Sequence, residues 1–252
     1  MFGRRTFLEP HIEEWQLETW RWLLDSLGGQ AALDQRALVL PTGAFFPKSE
    51  AAGHARAVEA LNHVKRHMGL EDWPCRLQPH QRRPMMEGNP AFGLQRTRGA
   101  LGTYRRDDAG AIITYDPDLV QRPLALVATF AHECAHYALD RINRLPPGAE
   151  EEPKLEELAT DLAVAFYGFG IFGANAAFEF EQFQGGGTQG WRSSSSGYLT
   201  EDSWVFAIAV FLALRGERPD DARQWLKLNL AKRLDKAVAR LAREPQLLAA
   251  LG

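Results

Sequence analysis

Cysteine is scarce: the 252 residues hold only Cys75 and Cys134, too few for a disulfide framework, so a hydrophobic core must carry the fold. Long apolar runs are scarce too. The best candidate, LAVAFYGFGIFGANAAF at 162–178, is barely of spanning length and is interrupted by three glycines and Asn175, so a buried core helix is expected there. The run at 204–214 is too short to span. The opening MFGRRTFLEPHIEEWQ lacks the apolar stretch of an export signal. These gaps predict no membrane span and a reducing, cytoplasmic location. An excess of one charge sign is also missing, since 29 Lys and Arg against 32 Asp and Glu leave a net charge of −3. No nucleic-acid partner is therefore expected. Internal repeats are absent as well. What remains, 45% hydrophobic and 24% charged, is enough to bury a full core as one domain or two closely packed lobes.

The strongest chemical signal present is His132-Glu133-Cys134-Ala135-His136. On an α-helix four residues advance the chain about 400° and roughly 6 Å, so both imidazoles leave one stripe and can share one metal. Glu133 lies about 100° around the helix from His132, beside such a metal rather than on it. A carboxylate there can take a proton from a water that the metal activates. The surrounding run, LALVATFAHECAHY at 124–137, has no charged residue except Glu133 and no continuous polar face. Such a helix is buried on most sides. Imidazoles and a carboxylate inside it are costly unless paired or metal-bound, so two hydrogen-bonded core histidines are the plain alternative.

The second half of the pattern lies downstream. Pro146-Pro147-Gly148 stops the motif helix, and Glu150, Glu151 and Glu152 before Pro153 suit the first turn of a new one. In that helix Leu155, Leu158, Leu162, Phe166 and Phe169 recur at steps of three and four, while Glu157 and Asp161 share another face. An antiparallel helix pair sets the start of the second beside the end of the first. Glu157 can then face His136 as a third ligand, with a fourth position left for water. It is preferred to Glu156 because only Glu157 has a carboxylate one turn on. That carboxylate, Asp161, is placed to hold the free ring nitrogen of a histidine ligand.

HECAH followed by ELATD resembles the gluzincin zinc peptidases, whose pattern is HExxH with a later ExxxD, shared by the thermolysin family and the prenyl-protease-like membrane peptidases. The resemblance covers about residues 99–169. It implies one zinc per chain on His132, His136 and Glu157, catalysis by Glu133, an outer partner in Asp161, and a peptide or protein substrate. The metzincin pattern is absent, because no third histidine follows His136. The fold implied is α+β and zincin-like: a small mixed sheet with an edge hairpin, packed on the motif helix and the second ligand helix. Residues 101–106 and 111–115 read as that hairpin, around a turn at 107–110. In the resembling families such a strand pairs with an extended peptide. Gluzincin-like sites also take a His or Tyr donor from beyond the third ligand. Only Tyr167 and Tyr198 qualify here, and Tyr167 belongs to a core helix. Tyr198 follows the Gly/Ser-rich stretch 184–197 and precedes a helix, so it either swings into a cleft as an oxyanion donor or anchors that helix on the core.

Elsewhere, helices are expected at 12–27, closed by Gly28-Gly29, and from a Ser49 cap to 68, closed by Gly69. Short strands are expected at 37–40 and 75–78, and further helices near 203–214, 221–230 and 232–243. The coarse division is a metal-carrying α+β lobe at 1–180 and a helical lobe at 181–252 that begins with the Gly/Ser-rich stretch and its 193-SSSS-196. Gly168, Gly170 and Gly173 spell GxGxxG, which in a strand-to-helix turn would bind a dinucleotide. No acidic residue follows between 184 and 200 and no βαβ alternation surrounds it, so close helix packing is the better reading. His54, His63 and His67, and a local basic excess at 215–243, read as solvated helix faces. The rival function is a zinc-containing binding or regulatory protein with a non-productive site.

Overall fold

The computed structural model describes residues 6–80, 102–108, 110–184 and 198–251. Helix α1 (Pro10–Leu27) opens on a proline, whose fixed φ suits a first turn, and stops at Gly28 in the left-handed region. It buries Trp20, Trp22, Leu23 and Leu24. A short α2 (Gly29–Asp34) follows directly. Helix α3 (Gly53–Met68) ends at Gly69 as expected, but its cap position is Ala52 rather than Ser49. The Ser49 hydroxyl instead accepts from the Ala51 N–H, a local bond that competes with capping. Residues 37–40 form no strand either. Val39 N–H bonds instead to the Gly168 carbonyl at 2.9 Å, because a helix junction rather than another strand lies beside them.

Among the described residues three strands make one mixed sheet: β1 (Cys75–Pro79), β2 (Gly102–Asp107) and β3 (Gly110–Tyr115), in the order β1-β3-β2. β1 runs parallel to β3, and β2 antiparallel to it, from Asp107↔Gly110 to Gly102↔Tyr115. Leu101 and Ala109, expected in the hairpin, lie outside the described residues. Apolar β3 takes the buried centre, while the charged Arg105, Arg106 and Asp107 leave β2 on an edge. A 3-10 turn (Pro117–Gln121), capped by the Asp116 carboxylate, then leads into α4 (Pro123–Leu139). The Tyr115 ring meets Phe130 of α4 edge-on at 5.7 Å, which docks the sheet on that helix.

After α4 come α5 (Lys154–Phe166), α6 (Gly170–Gln184), α7 (Glu201–Leu214), α8 (Asp220–Trp225), α9 (Leu228–Arg243) and α10 (Gln246–Ala249). The apolar run at 162–178 is therefore two helices, and Phe169 lies beyond the end of α5. Gly168, at φ 87°, makes the break: a Cβ there would stand 2.0 Å from the Ala37 carbonyl oxygen. At Gly173 a Cβ would stand 2.3 Å from the Trp204 ring. The glycines thus permit close packing, as expected, and a helix rather than a strand precedes them. Gln184 closes α6, while 185–197, including the four serines, lie outside the described residues.

Helix α7 is apolar all round, buried from Ser203 to Leu212, and packs against α5, α6 and α9. One core runs from Leu8 to Leu251. A buried ion pair between Glu13 and Arg240, 2.6 Å apart, ties α1 to α9. Ion pairs, most of them at the surface, also take up much of the basic excess at 215–243. Arg215, Arg218, Arg223, Arg233 and Arg240 all stand in ion pairs. Among the described residues no helix is long and apolar enough to cross a membrane.

Candidate metal centre

Two helices build the site. The stripe of α4 that carries His132 and His136 faces α5, and the chain between them is fixed where the Trp15 indole of α1 donates to the Pro147 carbonyl at 3.0 Å. α5 begins after Pro153, so its first turns lie beside the end of α4 and present Glu157, Thr160 and Asp161 on one side. Glu157 Oε2 lies 3.3 Å from His132 Nε2 and 3.3 Å from His136 Nε2, and the two Nε2 atoms are 3.1 Å apart. Among the described residues this is the one group of three side chains able to hold a metal ion. Glu156, one position earlier, is exposed.

The hydrogen bonds behind the rings determine which atoms face forward. His132 Nδ1 lies 2.9 Å from Asp161 Oδ1, and a carboxylate can only accept, so Nδ1 carries the hydrogen and Nε2 presents a lone pair. His136 Nδ1 lies 3.4 Å from Thr160 Oγ1, whose own hydrogen goes to the Glu156 carbonyl at 2.8 Å. Its Nε2 is therefore an acceptor too. With both rings neutral, three acceptors converge at mutual distances of 3.1–3.3 Å, a repulsive arrangement unless a proton or a metal cation sits among them. Ligands about 2.0–2.1 Å from zinc in a tetrahedron stand about 3.3 Å from one another. The donor set fits that ion in type, number and spacing.

The electrostatics agree. Without a metal, a proton takes its place on Nε2: burial by itself would lower the pKa of His132, but hydrogen bonds from the protonated ring to Asp161 and Glu157 outweigh it and push the ring up to about 10. The same bonds, from His132 and then His136, hold Glu157 well below the usual carboxylate range. The pocket therefore rewards a cation at its centre. Glu133 stands apart from the ligand group, and burial pushes its carboxyl up, against the opposing pull of His132 and His136. β2 passes so close that a Cβ at Gly102 would lie 2.8 Å from Glu133 Oε1.

Tyr198 is also at the site. Its ring, 42% exposed, meets the His132 ring edge-on at 5.3 Å. Burial, then the carboxylates of Asp161, Glu133 and Glu157, push its phenol up to about 12, so it stays a donor at neutral pH. Asp161 places it: the second oxygen of that carboxylate accepts from the Leu199 N–H at 2.9 Å. Tyr167 lies elsewhere, buried beneath the Arg36 guanidinium. His63 and His67 form no second centre, being bonded to Arg66 and to the Phe45 carbonyl. Sequence reasoning missed Thr160, Tyr104 and Gly102. Only Thr160 had a local signal, its position between Glu157 and Asp161 on one helix face.

Comparison with protein-family models, with curated proteins and with solved structures returns no match.

The two glutamates at the start of α5 make a direct test of the helix phase. Glu157→Ala should weaken zinc binding by more than the roughly 10–100-fold that loss of an outer partner costs. Glu156→Ala should leave it unchanged. A competitive chelator titration measures both, and a reversed order would show that the ligand is misassigned.

Proposed function

We propose that this chain is a zinc-dependent metallopeptidase of gluzincin type, with His132, His136 and Glu157 as ligands and Glu133 as general base. The observation that supports it most is the convergence of three lone-pair donors at tetrahedral spacing, with a buried carboxylate beside them that belongs to no ligand set. Zinc held by His132, His136 and Glu157 would supply Lewis acidity toward a carbonyl and an attacking water. Glu133 is placed to take up the proton of that water. Because burial raises its pKa, it can also pass the proton to the departing amine. Among the described residues β2 pairs with β3 alone, so its outer edge, beside Glu133, is where an extended peptide could add as a further strand.

Metal analysis joined to a peptide-library cleavage assay, with Glu133→Gln as control, tests the reading. One zinc per chain and cleavage that the variant lacks support it. Zinc without cleavage assigns the chain instead to zinc-containing binding or regulatory proteins, and no zinc removes both.

Tyr198 is the proposed oxyanion donor. Its hydroxyl would stabilise the charge that develops on the carbonyl oxygen, a contribution worth about 10²-fold. Tyr198→Phe should therefore lower turnover about 10²-fold, with zinc content and melting temperature unchanged. Undiminished turnover would reduce Tyr198 to an anchor of α7.

A further inference from the structure

Along β2, Gly102, Tyr104 and Arg106 alternate and so share one face. Opposite them Glu133, His136 and Asp140 are spaced by three and four residues and so share one stripe of the motif helix and its cap. The two rows meet one to one. Gly102 leaves room for Glu133, whose Oε1 would lie 2.8 Å from any Cβ there. The Tyr104 ring stacks on the His136 ring, with centroids 6.3 Å apart and planes within 8°. Asp140 Oδ2 accepts from the Tyr104 hydroxyl at 3.0 Å and from Arg106 Nη1 at 3.2 Å.

We propose that Tyr104 is the positioning residue of His136, fixing the plane of that ring from the edge strand as Asp161 fixes His132 from α5. The inference rests on the metal-centre reading above. His136 needs a second support more than His132 does. Its side chain is 25% exposed against 11%, and its Nδ1 contact with Thr160 is 3.4 Å against the 2.9 Å bond from His132 to Asp161. The last torsion of a histidine has broad wells, so a long hydrogen bond alone leaves the ring free to rock. A parallel aromatic face removes that freedom. Tyr104 is itself held on its other contacts, by the Tyr137 ring at 5.7 Å and by the Asp140 bond. Its ring therefore does the positioning, while its hydroxyl only tethers the ring.

That division sets the test, which reads zinc release from the loaded protein into excess chelator. Tyr104→Ala should release zinc about 10–100-fold faster, the range expected for loss of an outer partner. Tyr104→Phe keeps the ring and should stay within about 3-fold of wild type, a rescue that a merely structural loss would not show. The melting temperature of the zinc-free protein should be the same for both. Should the alanine variant not fold, Tyr104→Leu keeps bulk without a planar face and should release zinc like the alanine variant. Wild-type release rates in Tyr104→Ala or Tyr104→Leu overturn the inference and leave the metal centre standing. Equal acceleration in Tyr104→Phe overturns it too, because the hydroxyl would then be the active part. If the wild type takes up no zinc, the metal-centre reading falls first and this inference with it.

Discussion

The double variant His132→Ala, His136→Ala should emerge from purification with no zinc, against one ion per chain in the wild type. Two of the three convergent donors are gone, and Glu157, nearly half exposed, cannot hold the ion alone. Elemental analysis after dialysis measures this directly. Full occupancy would end the proposal. A second effect should accompany the first: Asp161 Oδ1 loses its only ring partner while 3% exposed. An unpaired buried acceptor costs roughly 1–3 kcal/mol, so the zinc-free variant should melt below the zinc-free wild type. Equal melting temperatures would show that Asp161 finds another partner.

Glu133→Gln should have the opposite profile, with zinc retained and turnover lost. Glutamine has the same shape and fits the gap that Gly102 leaves, but its amide cannot take up a proton at neutral pH. A positioned general base contributes about 10²–10⁴-fold, and the variant should lose most of that on any peptide the wild type cleaves. Zinc content and steady-state kinetics on one preparation decide it. Loss of zinc here would mean that Glu133 is a ligand and that the roles are exchanged. Together the two variants separate holding the metal from using it.

How much of this was visible in the residues depends on the distance over which each contact is made. His132 and His136 need only the pitch of one helix, and Glu157 and Asp161 need one more helix and a short connection. All four could be placed by spacing. Tyr104 could not, because its meeting with His136 depends on how β2 lies across α4, and strand-to-helix register leaves no local trace. Thr160 had a local signal in its place between Glu157 and Asp161, but its role shows only once its hydroxyl is seen between a ring nitrogen and the Glu156 carbonyl. The misplaced elements have separate causes. Residues 37–40 have the composition of a strand, but a strand exists only where another lies beside it. The Ser49 hydroxyl had a nearer N–H to accept than one in the helix it was expected to cap. The break at Gly168 answers the Ala37 carbonyl, more than a hundred residues earlier in the chain.

Asp161 carries a consequence for how this site can change over generations. Both of its oxygens are committed as acceptors, one to His132 and one to the Leu199 N–H. Asparagine, its nearest match in volume, offers one acceptor and one donor. Turned toward the ring, it sets its NH2 against the Leu199 N–H. Turned the other way, it drives the His132 hydrogen to Nε2, where Glu157 and His136 await a lone pair. An Asp161→Asn exchange therefore has no harmless orientation. Position 161 is one where the mildest exchange in size is among the harshest in consequence, and drift has to go around it.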